Sequence, residues 1–399
     1  MTDRRISYRR QSTGFLLLLS FLLVGCVGQM GTSWPSLTLL EDGRTIVFAH
    51  EQTLKLVDVV EGETVTILED GDPVINEDGE PQQWLINGGD YDGAEFFGAP
   101  IQIEEQSLLV PVADGRLMQI EIPSARVVSE PITVQARGNL TTDLAQSGNQ
   151  ILVGLQNELL AIDSENLERD WSIETDHAVW AEPIRVDNTL YFASLDHFMY
   201  AVDAETGQEQ WRLDLEGAAT ATPAYDANLE QFYIGTFNSE VLAISRAGEI
   251  VNRFATDGWV WGEPLLIDEG DETKLYVADL SGFVYKLNPQ DLSPVEEWPV
   301  AARPTDAAIR MTPTVFGEYV VVGSRDQRLY YIDREDGNVN ENLTRTLDGE
   351  ILTDILHFSA DDIDGLEEDL LVVSTMSDRE ALVGFTANTG ERIWTIRQR

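Results

Sequence analysis

The sequence predicts an all-β chain folded as an eight-bladed β-propeller of four-stranded antiparallel blades. Three observations carry that prediction. A unit of strand, polar turn and strand recurs eight times, most copies lie 40 to 45 residues apart, and no stretch reads as a long helix. With 43% apolar residues, 31 Gly and 15 Pro, the composition is that of a globular, turn-rich protein able to bury a large core.

From the N-terminus, residues 1 to 25 read as an export signal. Arg4, Arg5, Arg9 and Arg10 form a basic start, and Phe15 to Val24 form an apolar run broken only by Ser20. The run is short for a bilayer span, which needs about 20 apolar residues. Leu23-Val24-Gly25-Cys26 resembles the lipobox of bacterial lipoproteins, so Cys26, the only cysteine, is the expected acylation site. Acyl chains there would tether residues 26 to 33 as a short linker and leave 34 to 399 in the aqueous phase. The expected location is therefore exported and lipid-anchored, to the cell membrane or an outer membrane, facing the periplasm or exterior.

The formal charge of -44, with only three Lys, argues against electrostatic binding of nucleic acid and favours cations or a basic partner. Such an acidic balance also suits a saline habitat.

The clearest repeat runs from Leu190 to Asp203 and continues through Glu205-Thr206-Gly207 to Trp211. Phe232 to Ser245, Leu275 to Asn288 and Val320 to Asp333 align with it without a gap, and Ile151 to Asp163 with one residue fewer. Leu108 to Glu121 and Ile46 to Asp58 are weaker copies, and Leu371 to Thr386 is stretched. The residue closing each unit is Asp58, Glu121, Asp163, Asp203, Ser245, Asn288, Asp333 or Thr386; the long first step marks an insertion at about 66 to 99. Each unit is too small to bury its apolar faces alone and is expected to stack on the next. Pro100, Pro183, Pro223, Pro264 and Pro313 mark the starts of inner strands, where a missing amide costs least. Trp171, Trp211, Trp298 and Trp394 recur near the fourth strand and are expected to pack between blades. Pro35 to Leu40 and Arg392 to Arg397 could each complete their own blade or share one.

Asp203-Ala204-Glu205-Thr206-Gly207 with Trp211, and Thr386-Ala387-Asn388-Thr389-Gly390-Glu391-Arg392-Ile393-Trp394, resemble the D-x-x-T-G-x-x-x-W signature of the PQQ-like propeller repeat family. The resemblance covers nearly the whole chain after the signal and is more informative about fold than about function. It implies two very different kinds of relative. One is the quinoprotein dehydrogenase, with PQQ, calcium and an adjacent cysteine pair. The other, favoured by the lipobox and the eight units, is the lipoprotein accessory of outer-membrane barrel assembly. The cysteine pair is missing here, so no PQQ and no enzyme activity are expected.

Residue patterns add little chemistry. His50, His177, His197 and His357 lack the close spacing of a metal site, and no nucleophile or phosphate-loop motif occurs. Asp361 to Asp369 resembles a calcium loop, with Asp362, Asp364 and Asp369 as candidate ligands, and Asp90-Tyr91-Asp92-Gly93 resembles one more weakly; a solvated acidic hairpin is the favoured explanation of the longer stretch.

Binding is better marked. Asp176 to Pro183 and Asp257 to Pro264 are near copies in connections between blades, and they place Trp180, Glu182, Trp261 and Glu263 near the central mouth. Arg310 and the Phe96-Phe97 pair occupy comparable positions, and Trp259, without a counterpart, is expected to be exposed. Trp180 and Trp261 could equally plug the channel. The insertion, with Trp84, Tyr91, Phe96 and Phe97, is a second expected contact surface. These features favour a monomeric propeller holding a protein partner on its loop face. The alternatives are an enzyme or small-ligand sensor using the central funnel, with calcium as a candidate ligand, and a carbohydrate- or cell-wall-binding module using the Trp-rich mouth.

Overall fold

Alternating apolar residues give each repeat two buried faces, and the pairing pattern shows how they are used. The computed structural model describes residues 35–398 apart from 70–71, 77, 129, 135–139, 141, 271, 297 and 299–301; the signal segment, Cys26 and the linker lie outside the described residues. Among the described residues eight blade sheets follow one another in chain order, built mainly by antiparallel pairing of consecutive strands, and a ninth, two-stranded sheet lies in the insertion. In the fourth blade these are Ile184–Val186, Thr189–Ala193, Phe198–Asp203 and Glu209–Asp214. Ile184 pairs with Tyr191, Tyr191 with Ala201 and Ala201 with Trp211, so these four share one face. That face packs on Phe232, Ile234, Leu242 and Ile244 of the fifth blade. The opposite face, with Leu190, Phe192, Tyr200 and Val202, packs on Leu152, Leu159 and Ala161 of the third. The core is thus a set of layers between blades.

The recurring acid and glycine have a local cause. Asp203 accepts hydrogen bonds from the amides of Glu205 and Thr206 at 3.2 and 3.0 Å, and Asp58, Asp163 and Asp333 hold the equivalent turns. Gly207 then takes a φ of +67°, a conformation that side chains disfavour. Its bare α-carbon receives Trp171 of the preceding blade; a β-carbon there would lie 2.4 Å from the indole. Gly248 receives Trp211 and Gly62 receives Trp394 in the same way. Between the seventh and eighth blades an arginine takes over: Arg345 lies against Gly390 and donates to the carbonyls of Gly390 and Thr389, each at 2.6 Å.

Each of the five prolines stands immediately before an inner strand, as expected. The two chain ends complete separate blades: Ser36–Leu39 begins the first and Arg392–Ile396 ends the eighth. The seam between them is tied by Lys55, whose ammonium donates to the carbonyls of Arg397 and Gln398 at 2.7 and 3.0 Å. Among the described residues the sixth blade has three strands, and isolated bridges Leu287 to Pro294 and Val284 to Ala302 lie on the side of a fourth.

The insertion departs from expectation. Trp84 and Phe96 are fully buried, packed with Ile67 and Ile86 against Leu108, Val110 and Met118 of the second blade, and the Trp84 indole N–H donates to the Ile122 carbonyl. Phe96 is therefore a core residue and not part of a binding face; its neighbour Phe97 is half-buried.

Candidate functional site

The connections that enter each inner strand converge on the propeller axis, and their repeat register sorts their side chains into levels. Val179, Val260, Ile309 and Ile351 are equivalent and buried, which explains Phe96, since it occupies the same register. The next residue in each connection forms an upper ring that includes Phe97, Trp180, Thr220, Trp261, Arg310 and Leu352. Two residues further on lies a lower ring of Ala99, Asp143, Glu182, Thr222, Glu263, Thr312 and Asp354.

Aromatic contacts join the upper ring to the rim. Trp180 and Trp261 lie 6.1 Å apart between ring centroids, and the Arg310 guanidinium sits 3.8 Å above Trp261. Phe237, from a turn within the fifth blade, stacks on Trp261 at 5.3 Å and on Trp259 at 5.0 Å with only 11° between the latter planes. The result is a ladder running from Arg310 through Trp261 and Phe237 to Trp259, which is 43% exposed. A cavity of about 150 Å³ opens beside it, lined by Thr142, Asp143, Trp180, Thr220, Trp261, Arg310 and Leu352.

Hydrogen bonds across neighbouring blades hold the lower ring. Ala99 N–H donates to Asp143 at 2.6 Å, Glu182 N–H to Thr222 at 3.2 Å and Thr312 N–H to Asp354 at 2.7 Å. The four carboxylates Asp143, Glu182, Glu263 and Asp354 keep contact with water yet stand deep among protein atoms. Desolvation therefore leads the upward shift of all four, pushing Glu182 and Glu263 to about 7. Mutual repulsion adds to it: Glu182 feels Asp143, Glu263 feels Asp354 and Glu182, and Asp354 feels Asp143. Charges from the third, fourth, sixth and eighth blades thus meet on one axis.

Among the described residues no group of three or more His, Cys, Asp or Glu side chains is placed to hold a metal ion. That holds for the acidic hairpin as well. Asp369 accepts from the Ala360 amide at 2.8 Å and faces His357 at 3.5 Å, whereas Asp362 and Asp364 are exposed and Ile363 anchors the turn in the seam core.

The structure therefore brings Trp180, Trp261, Arg310, Glu182 and Glu263 to the axis and Trp259 to the rim. Asp143, Asp354 and Phe237 belong to the same mouth and escaped the sequence reading. Asp143 and Asp354 stand two residues beyond the upper-ring register, but neither is followed by the proline that marks Glu182 and Glu263.

Comparisons with known proteins agree with this architecture. No curated protein matches the chain in sequence. BamB from Moraxella catarrhalis superposes with a TM-score of 0.62 at 14% identity, covering 88% of this chain and 95% of that one. The computationally designed Ika8 protein gives 0.59 at 16% identity over 92% and 97% of the two chains. The quinohemoprotein alcohol dehydrogenase ADHIIG from Pseudomonas putida HK5 gives 0.56 at 16% identity over 75% of this chain and 66% of its own. At such identities these likenesses establish the propeller fold. The model of the outer membrane protein assembly factor BamB matches residues 113–282 and 238–399, and the chain belongs to that family.

Proposed function

We propose that this chain is an exported lipoprotein, acylated on Cys26, that serves as a protein-interaction scaffold at a membrane surface, in keeping with the assembly role named for its family. The observation that carries this reading is the aromatic ladder ending in Trp259. A large rigid ring, 43% exposed and backed by Phe237, is the kind of anchor that dominates protein interfaces. The strongly acidic surface favours a basic partner and disfavours nucleic acid.

The test is co-purification from native membranes of the lipidated wild type, Trp259→Ala and Trp259→Phe. A stoichiometric protein that stays with wild type and Trp259→Phe but leaves Trp259→Ala supports the scaffold. Equal recovery with Trp259→Ala, or no partner at all, overturns it. Membrane tethering is tested separately by Cys26→Ser, which should move the protein to the soluble fraction.

A second reading is favoured by the cavity beside Trp180 and Arg310, whose lining of two indoles, a carboxylate and a guanidinium suits a small polar ligand or a sugar. A quinoprotein activity is disfavoured. The sequence has no cysteine pair, and a tricarboxylate quinone on the axis would face the carboxylates of Asp143, Glu182, Glu263 and Asp354.

A further inference from the structure

The insertion of the first blade carries a surface that the loop-face scaffold does not use. Leu68 pairs with Pro73, Ile75 with Pro81 and Thr66 with Gln83, while Leu85 continues the strand that pairs with Lys55. Alternation then sorts the side chains. Ile67, Trp84 and Ile86 turn inward onto the second blade, and Leu68, Ile75 and Leu85 turn the other way, 50%, 54% and 47% exposed. These are three of the eight large apolar side chains exposed among the described residues, gathered within one short segment.

The reason lies at the seam. Lys55 and Leu85 are direct partners on the side facing the eighth blade, and Lys55 already reaches the last residues of that blade. The insertion extends the first blade beyond its own strands, so its inner side is covered by the second blade while this side is left open. Pro73 and Pro81 stand in the pairing rows without amides to donate, which disfavours addition of a further strand and leaves the side chains as the contact.

Charge decides the occupant. No Lys or Arg occurs between Lys55 and Arg116, and the exposed carboxylates of Asp72, Asp78 and Glu80 flank the apolar side chains. We propose that the Leu68, Ile75 and Leu85 face docks a protein segment presenting an apolar ridge flanked by Lys or Arg, at a second surface independent of Trp259.

The test uses the lipidated full chain in nanodiscs of zwitterionic lipid and fluorescent short peptides of alternating Leu and Lys, Ser and Lys, or Leu and Glu, read by anisotropy at about 0.15 M salt, where the Debye length is about 8 Å. The Leu-Lys peptide should bind saturably, and the Leu68→Ser, Ile75→Ser, Leu85→Ser triple variant should bind it about tenfold more weakly with an unchanged melting temperature. Trp259→Ala should bind it as wild type does. Should the triple variant melt early, Ile75→Lys alone provides the same comparison by repelling the basic peptide. Equal binding of Ser-Lys, or full affinity in the variant, overturns the proposal in favour of plain charge attraction. Self-association of wild type that disappears in the triple variant overturns it in favour of a second copy. Binding lost only in Trp259→Ala overturns it while leaving the loop-face scaffold intact.

Discussion

Trp394 of the last blade lies in the space that a side chain at Gly62 of the first would occupy, and its indole N–H donates to the Val59 carbonyl at 3.0 Å. The contact that elsewhere joins neighbouring repeats here joins the two ends of the chain. Closure is therefore made by the ordinary interblade contact, with Lys55 added.

Gly62→Ala should destabilise far more than Gly43→Ala. Both residues have positive φ, +65° and +69°, but a β-carbon at Gly62 would lie 2.1 Å from Trp394 whereas Gly43 has nothing within 4 Å. The difference expected in urea unfolding is about 1 to 3 kcal/mol from overpacking. In a Trp394→Ala background that difference should shrink toward zero, and its persistence would mean that the seam is held by something else.

Phe96→Ala and Phe97→Ala should behave unlike neighbours. Phe96 has no exposed surface, so its truncation should cost about 3 to 5 kcal/mol of unfolding free energy. Phe97 is half-buried in the upper ring, and its loss should cost about 1 kcal/mol or less. Similar midpoints for the two would contradict the register assigned to the channel.

The axial carboxylates predict a pH dependence with a definite sign. Glu182 and Glu263 are raised to about 7 by desolvation and by neighbouring carboxylates, so between the ordinary carboxylate range and pH 7 the folded chain binds more protons than the unfolded one. Their contribution to stability is present at low pH and is lost as pH rises through 7. The melting temperature should fall from pH 5 to pH 8, and Glu182→Gln with Glu263→Gln should flatten the fall and melt higher at pH 8. An unchanged slope in the double variant would assign the dependence to other groups.

The three lysines are all buried, at 6 to 9% exposure, and each holds a specific contact. Lys55 binds the last carbonyls, Lys274 the Asn288 side chain at 2.9 Å, and Lys286 pairs with Glu269 at 2.7 Å. An amine-reactive ester followed by peptide mass spectrometry should leave these three sites nearly unlabelled in the native protein and label them fully in urea. Rapid native labelling of Lys55 would show the seam to be open.

With a formal charge of -44 and its three lysines buried, the chain should be stabilised by salt. The melting temperature is expected to climb between low salt and about 1 M sodium chloride as screening shortens the Debye length to about 3 Å. A flat response would mean that the charges are already paired locally.

Much of this was legible in the chain. The strand alternation of Leu190 to Asp203, the proline before each inner strand and the D-x-x-T-G-x-x-x-W signature are local features, and they predicted eight blades, interblade tryptophans and the family resemblance. Trp180, Trp261 and Arg310 were placed at the mouth by register alone. Arg345 was invisible because it substitutes for a tryptophan by donating to backbone carbonyls, which no residue pattern announces. Phe96 lies in the core and not at the mouth because a single-residue step along the connection before Ile101–Glu104 turns a side chain from channel to core.

The repeat, its length and its turns are written into the chain, since alternation and Asx turns act within a few residues. Which carboxylates share an axis and which side of the insertion is left open were settled by the folded ring. Those outcomes depend on closing the ring, and closure brings together residues as remote as Asp143 and Asp354, or Gly62 and Trp394, that no local pattern connects.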